Sequence, residues 1–276
     1  DFVNTEQMVT ETNYSYYNST SHVAAVTTFN SKGEKVVSKY TYPQDYTNAA
    51  IQQLVANKIT GTPIGSKTIM PGVPIIGGNS VDREISGSGV DYEVQNGKVR
   101  PRSFYELATD NPLTVTPFNP AQVKQANDVL TGEVTLYDAY GNACEYVGRD
   151  GVVQTVIWGY NYTLPVAKIS GIGYYAALAQ LTSTNIANLQ LIADDATLRS
   201  KINEIRQANS SNPNVAVATI TYKPLIGVTS ETDANGRTVY YEYDAFHRLK
   251  LVRDKDQNII KRYDYKYKNP VSSSNE

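Results

Sequence analysis

Four stretches of the chain repeat one design, two strand-like runs closed by a short polar turn: HVAAVTTFNSKGEKVVSKYTYP, GEVTLYDAYGNACEYV, TSETDANGRTVYYEYD and LKLVRDKDQNIIKRYDYKY. The turns are Asn30-Ser31-Lys32-Gly33, Asp138-Ala139-Tyr140-Gly141-Asn142, Asp233-Ala234-Asn235-Gly236 and Asp254-Lys255-Asp256-Gln257-Asn258. Three of them place a glycine where the chain needs a positive φ. Asn96-Gly97 and Arg149-Asp150-Gly151 add two further turns. A lone hairpin buries too little apolar surface to stand in water, so consecutive units must pair edge to edge in one antiparallel sheet.

Composition agrees with strands that are wet on one side. The 276 residues include 22 Tyr against 5 Phe, 1 Trp and 2 Met. Tyrosine packs its ring on a pleated surface while its hydroxyl stays solvated or bonded. In VYYEYD, Val239, Tyr241 and Tyr243 share one face and Tyr240 and Glu242 the other, because strand side chains alternate. The Asp ending each strand is placed to accept hydrogen bonds from the amides of the turn that follows.

Two segments break the pattern. TNAAIQQLVANKI, residues 47–59, spaces Ile51, Leu54, Val55 and Ile59 at helical intervals behind Thr47, the expected cap. Residues 174–209 read as two or three short helices, with Leu198, Ile202 and Ile205 on one stripe and Asp194 or Asp195 as cap. Between residues 60 and 120 seven prolines are expected to interrupt any long element. The organisation expected is a single mainly β domain over 1–276, a twisted or spiralling sheet of consecutive antiparallel hairpins. It divides into a first hairpin plus helix at 22–59, irregular β structure at 60–131, a repeat at 132–170, a helical insertion at 171–214 and further repeats at 215–268.

Residues 226–267 carry a specific resemblance. Tyr243-Asp244 ends a strand before Arg248-Leu249, and Tyr137-Asp138 and Tyr263-Asp264 are further Tyr-Asp pairs. This pattern resembles the Rhs/YD-repeat family, named for that dipeptide. Gly141 and Gly236 fit the turns of such units, whereas His247 stands where the family usually has glycine before Arg-Leu. The run WGYNYTLPVAKISG, then helices, then TITYKPLIGVTSETDANG is similar to the version in secreted or surface proteins of Bacteroidetes-type bacteria. The resemblance is strongest over 132–268. It implies a spiralling sheet that larger members close into a hollow shell, and this chain's four or so units are too few for closure. It also implies that the segment could precede or help enclose a toxin or effector domain.

Catalytic templates fail. His22 and His247 are the only histidines and neither sits at metal-ligand spacing with Cys144, the single cysteine, so no metal site is expected. Cys144 lacks a basic neighbour to lower its pKa and reads as an inert thiol. Gly171-Ile172-Gly173-Tyr174-Tyr175-Ala176, with Asp194 and Asp195 about twenty residues on, matches a dinucleotide fingerprint on paper. Its flanking strands read as antiparallel and no second strand-helix unit follows, so a joint into the helices is the better reading and no cofactor is expected. A polysaccharide hydrolase remains the alternative class, because spacing alone selects no carboxylate pair.

Net charge −2 argues against nucleic-acid or anionic-membrane binding, and no stretch approaches the ~20 apolar residues of a membrane span. The chain begins at Asp1 rather than Met, with no charged-then-apolar leader, and reads as a processed or excised piece of something longer. The expected role is a secreted or outer-surface scaffold or recognition module, not a catalyst. Its partners would be glycans, other surface proteins or further domains of the same chain. The densest aromatic cluster, Trp158, Tyr160, Asn161 and Tyr162, is the candidate ligand surface, weighed against a packing role for Trp158 beside Leu164-Pro165-Val166.

Overall fold

The computed structural model describes residues 11–29, 32–74 and 78–266. Residues 1–10, Asn30 and Ser31 of the first turn, and Tyr267 of the last repeat lie outside them. The chain divides into two compact units, Asp1–Val134 and Thr135–Glu276. It is mainly β, and every strand pairing among the described residues is antiparallel.

Unit 1 begins with β1 (Asn13–Tyr16), β2 (Val23–Phe29) and β3 (Lys35–Thr41), followed by a short helical turn at Pro43–Asp45 and α1 (Ala49–Ala56). It continues with β4 (Gly65–Val73), β5 (Val81–Gln95), β6 (Lys98–Leu107), β7 (Leu113–Thr114) and β8 (Asp128–Tyr137), whose last residues belong to unit 2. Neighbours in sequence are neighbours in the sheet, except that β7 pairs with β5 and β6 pairs with β8. α1 buries Ile51 and Leu54 against Tyr46, Ile64 and Val123. Its cap is Asn48, whose side chain accepts from Ala50 N at 2.9 Å, rather than Thr47, whose amide is drawn away to Pro120 O at 2.8 Å.

The prolines did not fragment residues 60–131. β5 runs for 15 residues, and Pro71 and Pro101 lie inside β4 and β6. Each sits where the ladder already slips: register shifts fall between Met70 and Val73 and between Val90 and Tyr92, whose partner is Pro101. A bulge removes the need for the amide that proline lacks.

Unit 2 is a meander of β9 (Ala143–Gly148), β10 (Val153–Gly159), β11 (Leu164–Ser170), β12 (Ala216–Lys223), β13 (Gly227–Thr232), β14 (Thr238–Tyr243), β15 (Leu249–Arg253) and β16 (Ile259–Arg262). Three helices, α2 (Tyr174–Leu178), α3 (Ile186–Leu189) and α4 (Asp195–Ala208), intervene between the paired strands β11 and β12. Asp194 caps α4 by accepting from Thr197 N at 2.7 Å. Leu198, Ile202 and Ile205 pack against Ile157, Val166, Ile169 and Val217 in the core of this unit.

Tyrosine hydroxyls stitch the strands at their irregularities. β2, β13 and β15 each carry one extra residue opposite the preceding strand, at Ala24, Thr229 and Lys250. In each case a tyrosine at or beyond the end of the following strand donates to the carbonyl beside the bulge. Tyr42 reaches Val23 O, Tyr243 reaches Val228 O and Tyr265 reaches Leu249 O, all at 2.9 Å. Tyr243 lies so close over Gly227 that any side chain there would collide with its hydroxyl. A phenylalanine could fill the same space but would leave the carbonyl unbonded.

Two measurements follow from these contacts. Tyr243→Phe should cost about 1 kcal/mol in urea unfolding with an unchanged m-value. Tyr241→Phe loses a bond to an exposed Glu231 carboxylate and should stay within ~0.5 kcal/mol of the parent. The second concerns Glu204 on α4, whose carboxylate accepts from the Ser183 hydroxyl, from Ser183 N at 3.2 Å and from Thr182 N at 2.8 Å. Those bonds, the Ser183 hydroxyl foremost, hold its pKa at about 2, below the ordinary 4.5. The stabilisation is therefore complete above pH 4.5 and fades as pH falls toward 2. Stability measured across that window should fall less steeply in Glu204→Gln.

Candidate functional site

The repeat is defined by one turn used four times. Asp138, Asp233, Asp244 and Asp254 each donate a backbone N–H to the carbonyl four residues on, at 2.9–3.0 Å. Each accepts at its own carbonyl from the residue three ahead, and that residue has positive φ: Gly141 at 107°, Gly236 at 78°, His247 at 60° and Gln257 at 66°. The Asp carboxylate fills the inside of the turn. Asp138 Oδ1 accepts from the amides of Tyr140, Gly141 and Asn142 at 2.7–2.9 Å, and Asp254 Oδ1 from those of Asp256 and Asn258 at 2.9 Å. Asp244 accepts from Phe246 N and Arg248 N, and its second oxygen takes the Arg248 guanidinium at 2.5 Å. That arginine, ahead of Leu249 at the start of β15, also lies 4.3 Å from the Tyr265 ring centre. Tyr137-Asp138 and Tyr243-Asp244 thus end strands before turns, as the pattern requires. Tyr263-Asp264 follows β16, where Tyr263 N donates to Lys250 O at 2.9 Å and Asp264 meets Arg262 at 3.1 Å.

The aromatic cluster is split by the fold. Trp158 is half-buried, its Nε1 donating to Ala143 O at 3.0 Å and its carbonyl accepting from Gln190 Nε2 at 2.7 Å. Tyr160 turns inward, accepting at its hydroxyl from Tyr222 N at 2.8 Å. Asn161 is exposed. Tyr162 lies over Tyr140, ring centres 4.3 Å apart and planes 20° apart.

Tyr160, Asn161 and Tyr162 all have positive φ, at 50°, 57° and 60°. Three consecutive left-handed residues without glycine cost about 1–2 kcal/mol each, and such strain persists only where the surroundings impose it. Here Gln190 Oε1 accepts from Tyr162 N at 2.9 Å, Asn142 Nδ2 donates to Tyr162 O at 2.7 Å, and Thr163 N closes on Gly159 O at 3.0 Å. The β10–β11 turn is thereby clamped to the Asp138 turn and to α3.

The clamp shapes one wall of a cavity of about 280 Å³. Tyr137, Asp138, Tyr140, Tyr162, Tyr174 and Tyr175 line it, with Cys144 beneath. Tyr140 and Tyr175 are 65% and 71% exposed, so their rings are open to a ligand, whereas Tyr174 is buried. Burial, and then the neighbouring thiol, pushes the Tyr174 hydroxyl well above its usual range. Cys144 is 1% exposed and burial raises its thiol to about 11, which leaves it a poor nucleophile. Of the four aromatic-cluster residues only Tyr162 reaches this cavity. Tyr140, Tyr174 and Tyr175 were missed, because the turn and the start of α2 meet only in three dimensions.

The glycine-rich joint is filled from within the chain. Glu145 accepts from Tyr174 N at 2.8 Å at the start of α2, and a side chain on Gly173 would press on that carboxylate. Gly171 has φ 93° and its α-carbon lies against the Asn214 backbone. The flanking β10 and β11 are antiparallel. Among the described residues no group of three His, Cys, Asp or Glu side chains gathers as metal ligands.

These features define a class, an antiparallel hairpin-repeat protein built on Asp-capped turns. Residues 227–259, from β13 to the first residue of β16, match the family described as RHS Repeat, so the chain carries an Rhs repeat over that segment. No curated protein matches it by sequence. Solved structures similar to it include the Photorhabdus luminescens Tc holotoxin pore with a TccC3 mutation, at 12% identity and TM-score 0.37, over 90% of this chain and 12% of that one. Another is the crystal structure of TcdB2-TccC3-Cdc42, at 11% identity and TM-score 0.37, over 87% and 12%. A third is TcdB2-TccC3 without its hypervariable C-terminal region, at 13% identity and TM-score 0.37, over 87% and 12%. The chain spans about an eighth of the length of each.

His247 is exposed in the left-handed conformation that the family usually gives to glycine. His247→Gly removes a β-carbon cost of ~1–2 kcal/mol while adding freedom to the unfolded chain. A net gain of up to about 1 kcal/mol is expected in thermal or urea unfolding.

Proposed function

We propose that the chain is a non-catalytic repeat scaffold, exported and surface-associated, whose tyrosine-lined cavity recognises a partner protein through a cationic side chain. The scaffold role rests on the matched Rhs repeat and on the turn that recurs at Asp138, Asp233, Asp244 and Asp254. The observation that supports recognition is the Tyr140–Tyr162 stack, in which the Tyr140 ring is open to solvent and Tyr162 is half-buried in a strained, clamped turn. A surface that served only as packing would gain nothing from holding three non-glycine residues left-handed. Electron-rich ring faces attract cations, and Asp138 adds negative potential that raises the Tyr162 hydroxyl pKa after burial and Tyr140 have acted. Neither Lys nor Arg lines the cavity. Export, and the Bacteroidetes-type setting, follow from the sequence resemblance.

A hydrolase would need a carboxyl group with a raised pKa facing an ionised one. The described carboxylates with displaced pKa values, Asp194, Glu204, Asp244 and Asp254, are all lowered, three by hydrogen bonds within a cap or turn and Glu204 by those from Ser183 and Thr182. A segment of a larger shell is the reading favoured by β16, which leaves Ile259 and Ile260 52% and 57% exposed. Gene sequence flanking residues 1–276, with or without further repeats, decides that.

The recognition reading is tested on a peptide array varying Lys and Arg and on a glycan array, with the parent protein and Tyr140→Ala. Tyr140 is exposed, so its removal leaves the core intact. Binding to basic peptides, weakened about tenfold or more in the variant, is the expected result. Glycan binding lost in the variant would replace the protein partner with a sugar, and silence of the parent on both arrays would leave only the scaffold.

A further inference from the structure

α4 carries two stripes. Leu198, Ile202 and Ile205 face the core, while Ala196, Arg199, Ser200, Asn203 and Arg206 fall at helical spacing on an adjoining stripe. Opposite that second stripe the sheet presents hydroxyl side chains. Thr219, Thr232 and Thr238 form one row across β12, β13 and β14, and Thr221, Ser230 and Tyr240 form the next. Thr219, Thr221, Ser230 and Thr232 are all buried. Between helix and rows lies a pocket of about 290 Å³ with Arg199 and Arg206 in its wall, a rim of exposed Ala196, Ser200 and Gly236, and no Asp or Glu lining it.

Neither guanidinium has a carboxylate partner among the described residues. Arg199 Nη1 donates to Ser230 Oγ at 2.9 Å and its plane lies 5.2 Å from the Tyr240 ring centre. Arg206 donates to Asn203 Oδ1 at 2.8 Å, to Val217 O at 2.6 Å and to Asp233 O at 3.1 Å, while its Nε is buried and meets no acceptor. The nearby carboxylates are committed elsewhere: Asp194 to the α4 amide of Thr197, Asp195 to the Thr229 hydroxyl, and Asp233 to Arg237 N. Asp194 and Asp233 act on these guanidiniums only at a distance, and two half-buried cations lined by hydroxyl donors, with one unbonded donor and no carboxylate in direct contact, are costly unless an anion completes them.

We propose that this pocket is a binding site for a divalent tetrahedral oxyanion, sulfate or phosphate, free or as an ester. Two guanidinium forks suit such a group and its double charge balances theirs. Nothing in this site depends on the tyrosine-lined cavity.

The test is titration of the full chain with sodium sulfate and sodium phosphate, against sodium acetate and chloride at equal ionic strength, followed by melting temperature and amide NMR. Glucose 6-phosphate and glucose 6-sulfate distinguish an ester from the free ion. Saturable upward shifts in melting with sulfate or phosphate, and shifts of the Gly236 and Thr238 amides, are expected. Arg199→Gln should weaken binding at least tenfold. Ser200→Glu, which places a carboxylate on the rim and spares the core, should raise the melting temperature without ligand and abolish the oxyanion response. Equal stabilisation by all four salts, or an undiminished sulfate and phosphate response in both variants, would overturn the site.

Discussion

A hydroxyl donated to a carbonyl beside a bulge is the contact on which the repeat depends. Several of the consecutive pairings keep an unbroken register and others slip by one residue, and each slip leaves the ladder locally disturbed. The bulges at Ala24, Thr229 and Lys250 disturb the ladder beside a carbonyl. Tyr42, Tyr243 and Tyr265 bond that carbonyl from the far side of the strand, so the same ring packs the sheet and mends the ladder. At these three positions the phenol oxygen is structural, a role phenylalanine could not fill.

The Asp-capped turn is the second half of the unit. Its carboxylate gathers amides that face no strand partner, and its fourth position must be left-handed. Glycine meets that demand freely, and His247 and Gln257 show that the turn's bonds suffice to hold other residues there. The strand-ending tyrosine and turn-opening aspartate sit side by side because each completes hydrogen bonds that the hairpin itself leaves open.

Hairpin positions, the helical insertion, the Asp194 cap and the likeness to the Rhs/YD family were legible in the residues, since each depends on local periodicity or turn chemistry. Thr47 was the wrong cap, because capping is settled by which side chain can turn back on the helix and Thr47 is tied to Pro120. Pro71 and Pro101 misled for a related reason. A proline breaks a strand only where an amide is required, and register shifts, invisible in one sequence, remove that requirement. Trp158 and Tyr160 looked like a surface with Tyr162, yet three left-handed residues swing them apart.

The sequence by itself determined the unit: alternating strands, tyrosines near strand ends and aspartates opening turns. These are properties of a few adjacent residues. Only the tertiary structure decided where chemistry could gather. Tyr140, Tyr162 and Tyr175 come from separate turns and a helix start, and Arg199 and Arg206 meet threonines from three strands. Such neighbours arise from sheet register and from how α4 lies on the strands, distances that no local pattern encodes.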